Sequence, residues 1–271
     1  MSTDRSSLTI VTGGSRGIGH FLVQSALQEG DVLNIARGPA QADNGHCLHN
    51  LHLDLQNVEQ IESALGAWFE DHSSYEVTTL IHNAALLNLG WLDEVSPLEM
   101  AQAFRVNVHA PLAITSTLYR SGRFCPRKAR VVYVLSSLGR PLTELSFAGL
   151  GLYSSTKAAL GRLALIQSRE FELIAPHIEI LRIHPGIVDT EIQRQLRQNS
   201  SLDPAFAEKT AGLPPYQEGE WDERSPKENM RTISASLAAE FIAWAAKSPV
   251  VSSDEYDFYA AEEFHGARSN A

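Results

Sequence analysis

Tyr153 and Lys157 stand four residues apart in a run with helical periodicity, so a phenol and an ammonium face the same way. An isolated tyrosine ionises at a pKa of about 10, and a fixed positive charge in a dry cleft lowers that value, each unit being about 1.4 kcal/mol of differential interaction. A phenol placed in this way is an acid or base suited to a carbonyl oxygen. Taken alone, the pair also reads as an ordinary exposed helical contact, and the rest of the chain must decide between the two.

The elements that would position this pair alternate along the chain. Short apolar runs at Leu8 to Val11, Val32 to Ile35, Leu48 to Leu53, Val77 to Ile81, Val131 to Leu135, Ile178 to Ile183 and Tyr256 to Tyr259 read as seven strands. Helical patterns at Gly17 to Gln28, Val58 to Phe69, Pro97 to Tyr119, Tyr153 to Leu173 and Met230 to Ala246 lie between them, with Pro97 fit for a first turn. Crossovers of this length predict an α/β fold: one doubly wound, Rossmann-type domain, with a seven-stranded parallel sheet, helices on both faces and a ligand at the carboxyl ends of the strands.

The first strand runs straight into Thr12-Gly13-Gly14-Ser15-Arg16-Gly17-Ile18-Gly19 and then into a helix. Glycines let a backbone turn sharply and approach a pyrophosphate with no Cβ in the way, while the helix N-terminus offers donors and a positive dipole end. The glycines sit at 13, 17 and 19, so three residues separate the first two where the general dinucleotide fingerprint has one.

This spacing, joined to the later YxxxK, resembles the short-chain dehydrogenase/reductase family, whose loop reads TGxxxGxG. Further signals keep the family order: His82-Asn83-Ala84-Ala85 after the fourth strand, Asn107 in a helix, Leu135-Ser136-Ser137, and Pro185-Gly186-Ile187-Val188-Asp189-Thr190. Two departures stand out. Ala85 and His82 replace a family glycine and asparagine, and Ser137 precedes Tyr153 by sixteen residues rather than about a dozen, so the loop at residues 138–152 is longer. Of the two serines, Ser137 aligns better with the catalytic position, and strand alternation would then bury Ser136.

The resemblance implies hydride transfer between a nicotinamide and a carbon bearing oxygen, with Asn107, Ser137, Tyr153 and Lys157 as the catalytic set. Ser137 would hold the carbonyl and Tyr153 would donate its proton. Lys157 would bond the nicotinamide ribose and lower the Tyr153 pKa, and Asn107 would hold a water that links Lys157 to solvent. Cofactor contacts fall by the same resemblance on Gly13, Ser15, Arg16, Gly17, Ile18, Gly19, Arg37, Asp54, Leu55, Asn83, Ala84, Tyr153, Lys157, Pro185, Gly186, Val188 and Thr190. Asp54 would bond the adenine amino group; a helix N-cap ahead of Val58 is the competing role.

NAD-users of this fold place a carboxylate at the end of the second strand, which repels a 2′-phosphate. Here the run is Asn34-Ile35-Ala36-Arg37, with Arg16 in the glycine loop as a second guanidinium, so NADP(H) is the expected cofactor. Residues 191–226, rich in proline and glycine, read as a substrate lid that opens with a short helix at Ile192 to Gln198. Leu138, Leu145, Phe147, Leu152, Ile187, Ile192, Leu196, Leu213, Pro214 and Tyr216 would make an apolar pocket for a ketone or diketone with aromatic or bulky groups. The stretch from Pro185 to Gln193 is similar to the branch holding sepiapterin and benzil reductases. An NADP(H)-binding sensor or pathway partner without turnover, and an imine reductase or dehydrogenase of secondary metabolism, are the alternatives.

Other features bound the reading. His46, Cys47, His49 and His52 cluster, but a strand scatters them over both faces, so no metal is expected. His184 reads as a satisfied packing residue near the cofactor, and Asp222, Glu223 and Glu228 as loop-solvating. The chain has 271 residues with 44% hydrophobic content and a net charge of −10, which argues against a nucleic-acid partner or an anionic membrane surface. Two cysteines and a polar opening suit a reducing, cytoplasmic setting. Small and apolar residues on several faces of the helices from Pro97 and Tyr153, which family members pair between subunits, suggest a homodimer or homotetramer.

Overall fold

The computed structural model describes residues 5–41, 46–142, 145–198, 203–211, 213–216, 231–248 and 255–269. Asp222, Glu223, Glu228, Met230 and much of the expected lid lie outside these.

In chain order the elements are β1 (Ser6–Thr12), α1 (Gly17–Ala26), β2 (Asp31–Ala36), β3 (Leu48–His52), α2 (Ile61–Asp71), β4 (Tyr75–His82), α3 (Pro97–Phe104), α4 (Ala110–Arg120), β5 (Ala129–Val134), α5 (Gly151–Ile174), β6 (Ile178–His184), β7 (Ile187–Val188), α6 (Glu191–Gln198), α7 (Pro204–Ala211), β8 (Thr232–Ile233), α8 (Ala235–Lys247), β9 (Glu255–Asp257) and α9 (Glu262–Ser269). The strands form a seven-stranded sheet in the order β3-β2-β1-β4-β5-β6-β9, with every neighbouring pair parallel. β7 and β8 make a separate parallel pair.

Alternation along the strands splits the core in two. Ile10, Leu33, Leu80 and Val131 pack one face against Leu65 of α2, Ile114 of α4 and Leu160 of α5. Val11, Val32, Ile81 and Val132 turn to the other face and meet Leu22 of α1, Phe241 of α8 and Phe264 of α9. Each such side chain, buried whole, contributes about 1.5–3 kcal/mol, so both helical layers are held by the period of two in the strands.

The expected seven strands and single α/β domain are present. The seventh is shorter than its apolar run: β9 ends at Asp257, whose carboxylate takes the Tyr259 N–H at 3.0 Å and turns Phe258–Ala260 into a 3-10 helix. The run Pro97 to Tyr119 is not one regular helix. Ser96 and Glu99 cap α3 reciprocally, and Arg105–His109 then widens into a π-turn before α4. The last long helix begins at Ala235, where Ser234 accepts the Leu237 N–H. No helix among the described residues is long and apolar enough to cross a membrane.

Candidate active site

The sheet order reverses between β1 and β4, and there the two following loops part to open a crevice. The hydroxyl of Thr12, buried at the tip of β1, ties the lips together by accepting both the Asn83 and the Ala84 N–H at 3.1 Å. Asn83 returns its side-chain amide to Thr12 O at 3.1 Å.

Gly13 and Gly17 take φ of +73° and +57°, the left-handed region that glycine tolerates. A Cβ at Gly19 would lie 2.2 Å from Gly13 O, so this close helix-to-loop packing admits no larger residue. A Cβ at Gly17 would meet only Thr190 Cγ2, at 3.8 Å, which leaves open space above the loop. No side chain caps α1 and its first turn carries no acid, so its N-terminal donors are left for an anion.

The cleft above this loop has a volume of about 1070 Å³. Gly13, Ser15, Arg16, Gly17, Ile18, Arg37, Asp54, Leu55, Asn83, Ala84, Tyr153, Lys157, Pro185, Gly186, Val188 and Thr190 all line it, whereas Gly19 is buried behind the loop. Asp54 does not cap a helix; its carboxylate takes the Gln56 N–H at 3.0 Å and leaves the residue on the wall. The cradle, the uncapped helix end and the two arginines fit a nicotinamide dinucleotide.

Tyr153 and Lys157 are both buried in the first turns of α5 and both face this cleft, with Lys157 Nζ 6.0 Å from the Tyr153 ring centre. Lys157 Nζ donates to Val134 O at 2.8 Å, which uses one of its three donors. Burial drives the two groups apart in pKa. It pushes the Tyr153 phenol up to about 12, opposed by a hydrogen bond with Ser136, and Lys157 down to about 8. In the protein by itself, then, burial raises the phenol and the Ser136 hydrogen bond is the influence that opposes it.

The serine expectation is corrected. Ser136, not Ser137, bonds Tyr153 and lines the cleft, while Ser137 starts a 3-10 turn through Gly139. Asn107 is placed differently from the expected water holder. From the π-turn its side chain donates to Leu86 O and to Thr156 Oγ1, both at 2.9 Å, and accepts the Leu86 N–H at 2.7 Å. Thr156 Oγ1 in turn donates to Tyr153 O at 2.7 Å. Asn107 thus joins the loop after β4 to the helix that carries the phenol, and Thr156, which sequence reasoning passed over, completes the joint.

On the substrate side, Leu138, Ile192 and Leu196 line the cleft with Leu86 and Leu87. Phe147 packs with Leu87, Leu138 and Ile192 around buried Leu150, Leu196 and Phe206. Leu152 turns into the core instead, and Tyr216 packs edge-on against Phe258. His184 is buried and its Nε2 donates to Glu255 Oε1 at 3.0 Å. The His46 to His52 group is strung along β3: at its amino end the Cys47 N–H donates to Asp31 and His49 meets Tyr75, whereas His52 pairs with Ala36 at its carboxyl end.

A glycine cradle at a topological switch point, with a buried Tyr-Lys pair beneath it, defines a dinucleotide-dependent oxidoreductase. A family model described as short chain dehydrogenase matches residues 7–201. Among curated relatives, benzil reductase ((S)-benzoin forming) of Bacillus cereus is 29% identical over 211 residues, covering 72% of this chain and 80% of the relative. Sepiapterin reductase of Bos taurus is 26% identical over 222 residues, covering 73% and 78%, and a sorbitol dehydrogenase of Cereibacter sphaeroides is 29% identical over 189 residues, covering 67% and 70%. Among solved structures, a short chain dehydrogenase/reductase from Saccharomyces cerevisiae superposes with a TM-score of 0.75 at 21% identity, covering 95% of this chain and 97% of that one. The chain belongs to the short-chain dehydrogenase family, and it is an oxidoreductase of carbonyl and alcohol groups that works with a catalytic tyrosine.

Proposed function

We propose that the protein is an NADPH-dependent carbonyl reductase that converts a ketone or diketone to the alcohol, with Tyr153 as general acid and the reverse oxidation open to it. A bound nicotinamide supplies the hydride to the carbonyl carbon. Ser136 donates a hydrogen bond to the carbonyl oxygen, and as negative charge grows there Tyr153 transfers its phenolic proton to it. The observation that carries this reading is the place of Tyr153 on the cleft wall beside Ser136 and Lys157, together with the glycine loop, where a protonated phenol can meet a carbonyl oxygen. Lys157, charged below about 8, gives the transient phenolate a positive neighbour. Asn107 is a positioning residue that holds Thr156 and the Tyr153 turn in place.

NADP(H) over NAD(H) is favoured by Arg16 and Arg37 on the cleft and by the lack of a carboxylate at the end of β2. The leucine and isoleucine wall favours an apolar or aromatic substrate. Vicinal dicarbonyls suit it best, in line with the benzil and sepiapterin reductases among its relatives. α6 and α7 act as the described part of the lid. The test is NADPH oxidation against aromatic diketones, simple ketones and sugars, with Tyr153→Phe as control. Activity on sugars alone would overturn the substrate reading, and NADPH binding with no turnover of any carbonyl would leave the sensor instead.

A further inference from the structure

Strand β2 carries one polar side chain in an apolar wall. Asn34 is 1% exposed between Leu33 and Ile35, and a carboxamide in such a place costs several kcal/mol, on the order of 2–7, unless it is bonded. It is bonded throughout. Asn34 Oδ1 accepts the Gly14 N–H of the glycine loop at 2.9 Å, and Nδ2 donates to Asn50 Oδ1 at 2.8 Å and to Gly38 O at 3.4 Å. Asn50 faces Asn34 directly across the β2-β3 pair. It also clamps one residue of the turn after β2 at both backbone groups, taking the Ala40 N–H at 2.8 Å and donating to Ala40 O at 3.2 Å.

Two segments are thereby fastened at three points to one pair of amides: the glycine loop at Gly14, and the turn after β2 at Gly38 and at Ala40. The two also lie side by side, since a Cβ at Gly38 would be 3.9 Å from Ser15 Cβ. Gly14 has no room for a side chain because a Cβ there would meet Asn34 Oδ1 at 2.7 Å and Val23 Cγ2 at 2.6 Å. Arg37 stands at the start of the pinned turn, and Arg16 stands in the glycine loop.

We propose that Asn34 and Asn50 are positioning residues for cofactor choice: they lock the Arg37 turn against the glycine loop, so that the 2′-phosphate of NADP(H) meets a guanidinium whose backbone is already fixed. A guanidinium on a loose turn would have to be ordered on binding, which weakens the complex without removing any contact. Uncharged amides do this without bringing a carboxylate near the phosphate. The inference rests on the reading of NADP(H) as cofactor.

Fluorescence titration of NADPH and NADH into the wild type, Asn50→Ala, Arg37→Ala and the double variant tests it by binding alone. Asn50 is exposed, so NADH binding reports an intact fold. Asn50→Ala is expected to weaken NADPH about tenfold and NADH less than about twofold, and to cost nothing more once Arg37 is gone, as coupled residues do. An unchanged NADPH to NADH ratio in Asn50→Ala, or losses that multiply in the double variant, would overturn the positioning role. Equal wild-type affinity for both cofactors, insensitive to Arg37→Ala, would instead sink the cofactor reading itself.

Discussion

Burial sets the protons of the reacting pair. Replacing Tyr153 by Phe is expected to lower carbonyl reduction about 10²–10⁴-fold while NADPH still binds, as stopped-flow and fluorescence titration will read. Ser136→Ala should cost about 10²-fold in turnover and Ser137→Ala should leave it within about twofold. For Lys157, whose folded pKa of about 8 lies below its ordinary 10.5, the unfolded chain binds more protons between those values. Wild-type stability therefore rises with pH across that window. Lys157→Met should stabilise the fold by about 1–2 kcal/mol at pH 7, an advantage that fades from pH 8 to 10.5 in urea titrations, while abolishing reduction. At this scale the sequence was legible in residue type but not in direction. Tyr153 and Lys157 declare themselves by spacing, yet the alternation read through Leu135 does not extend to the two serines, because β5 ends at Val134. The depth that raises the phenol comes from contacts distant in the chain.

Elements supply what spacing leaves open. The π-turn at Arg105–His109 sets Asn107 on Leu86 and Thr156, and no apolar periodicity near 3.6 reveals a local step of five. The β7-β8 pair is two residues long on each side, too short for a strand pattern to show. By contrast the glycine loop, the buried strands and the long helices were legible because their backbone demands are local. The turn after the serines packs directly on α5: a Cβ at Gly139 would come within 2.8 Å of Ala158 N and Lys157 C. Gly139→Ala should force that turn off the helix, destabilise the protein by about 1–3 kcal/mol in thermal unfolding and lower kcat more than KM.

At the scale of the whole molecule, charge on the last strand fastens the site. Glu255 is bonded by His184 at 3.0 Å, by Arg182 at 2.7 Å and by Arg140 at 3.3 Å. The His184 hydrogen bond leads in holding its carboxyl down to about 2, helped by Arg182 and Arg140 and opposed by burial. The stability it contributes is present above the ordinary value of 4.5 and is lost as pH falls toward 2. Glu255→Gln should cost about 1–3 kcal/mol at pH 7 and flatten the acid transition between those limits, measured by urea unfolding at several pH values. On the outer side of α5, Leu163, Ile166, Leu173 and Ile174 are exposed, with Leu173 at 85%. Light scattering is expected to return a dimer or tetramer, in keeping with burial of that side by a second copy.

Arg140 grips Asp257 at 2.6 Å as well as Glu255, so the turn that follows the two serines is moored to β9, more than a hundred residues further along the chain. A nascent chain that has left the ribosome as far as Thr190 already holds each motif of the family, but not the carboxylates that moor this turn. Competence then waits on the synthesis of Glu255 and Asp257, and a product stopped short of Glu255 would expose a cleft that takes up dinucleotide before it can turn over a carbonyl.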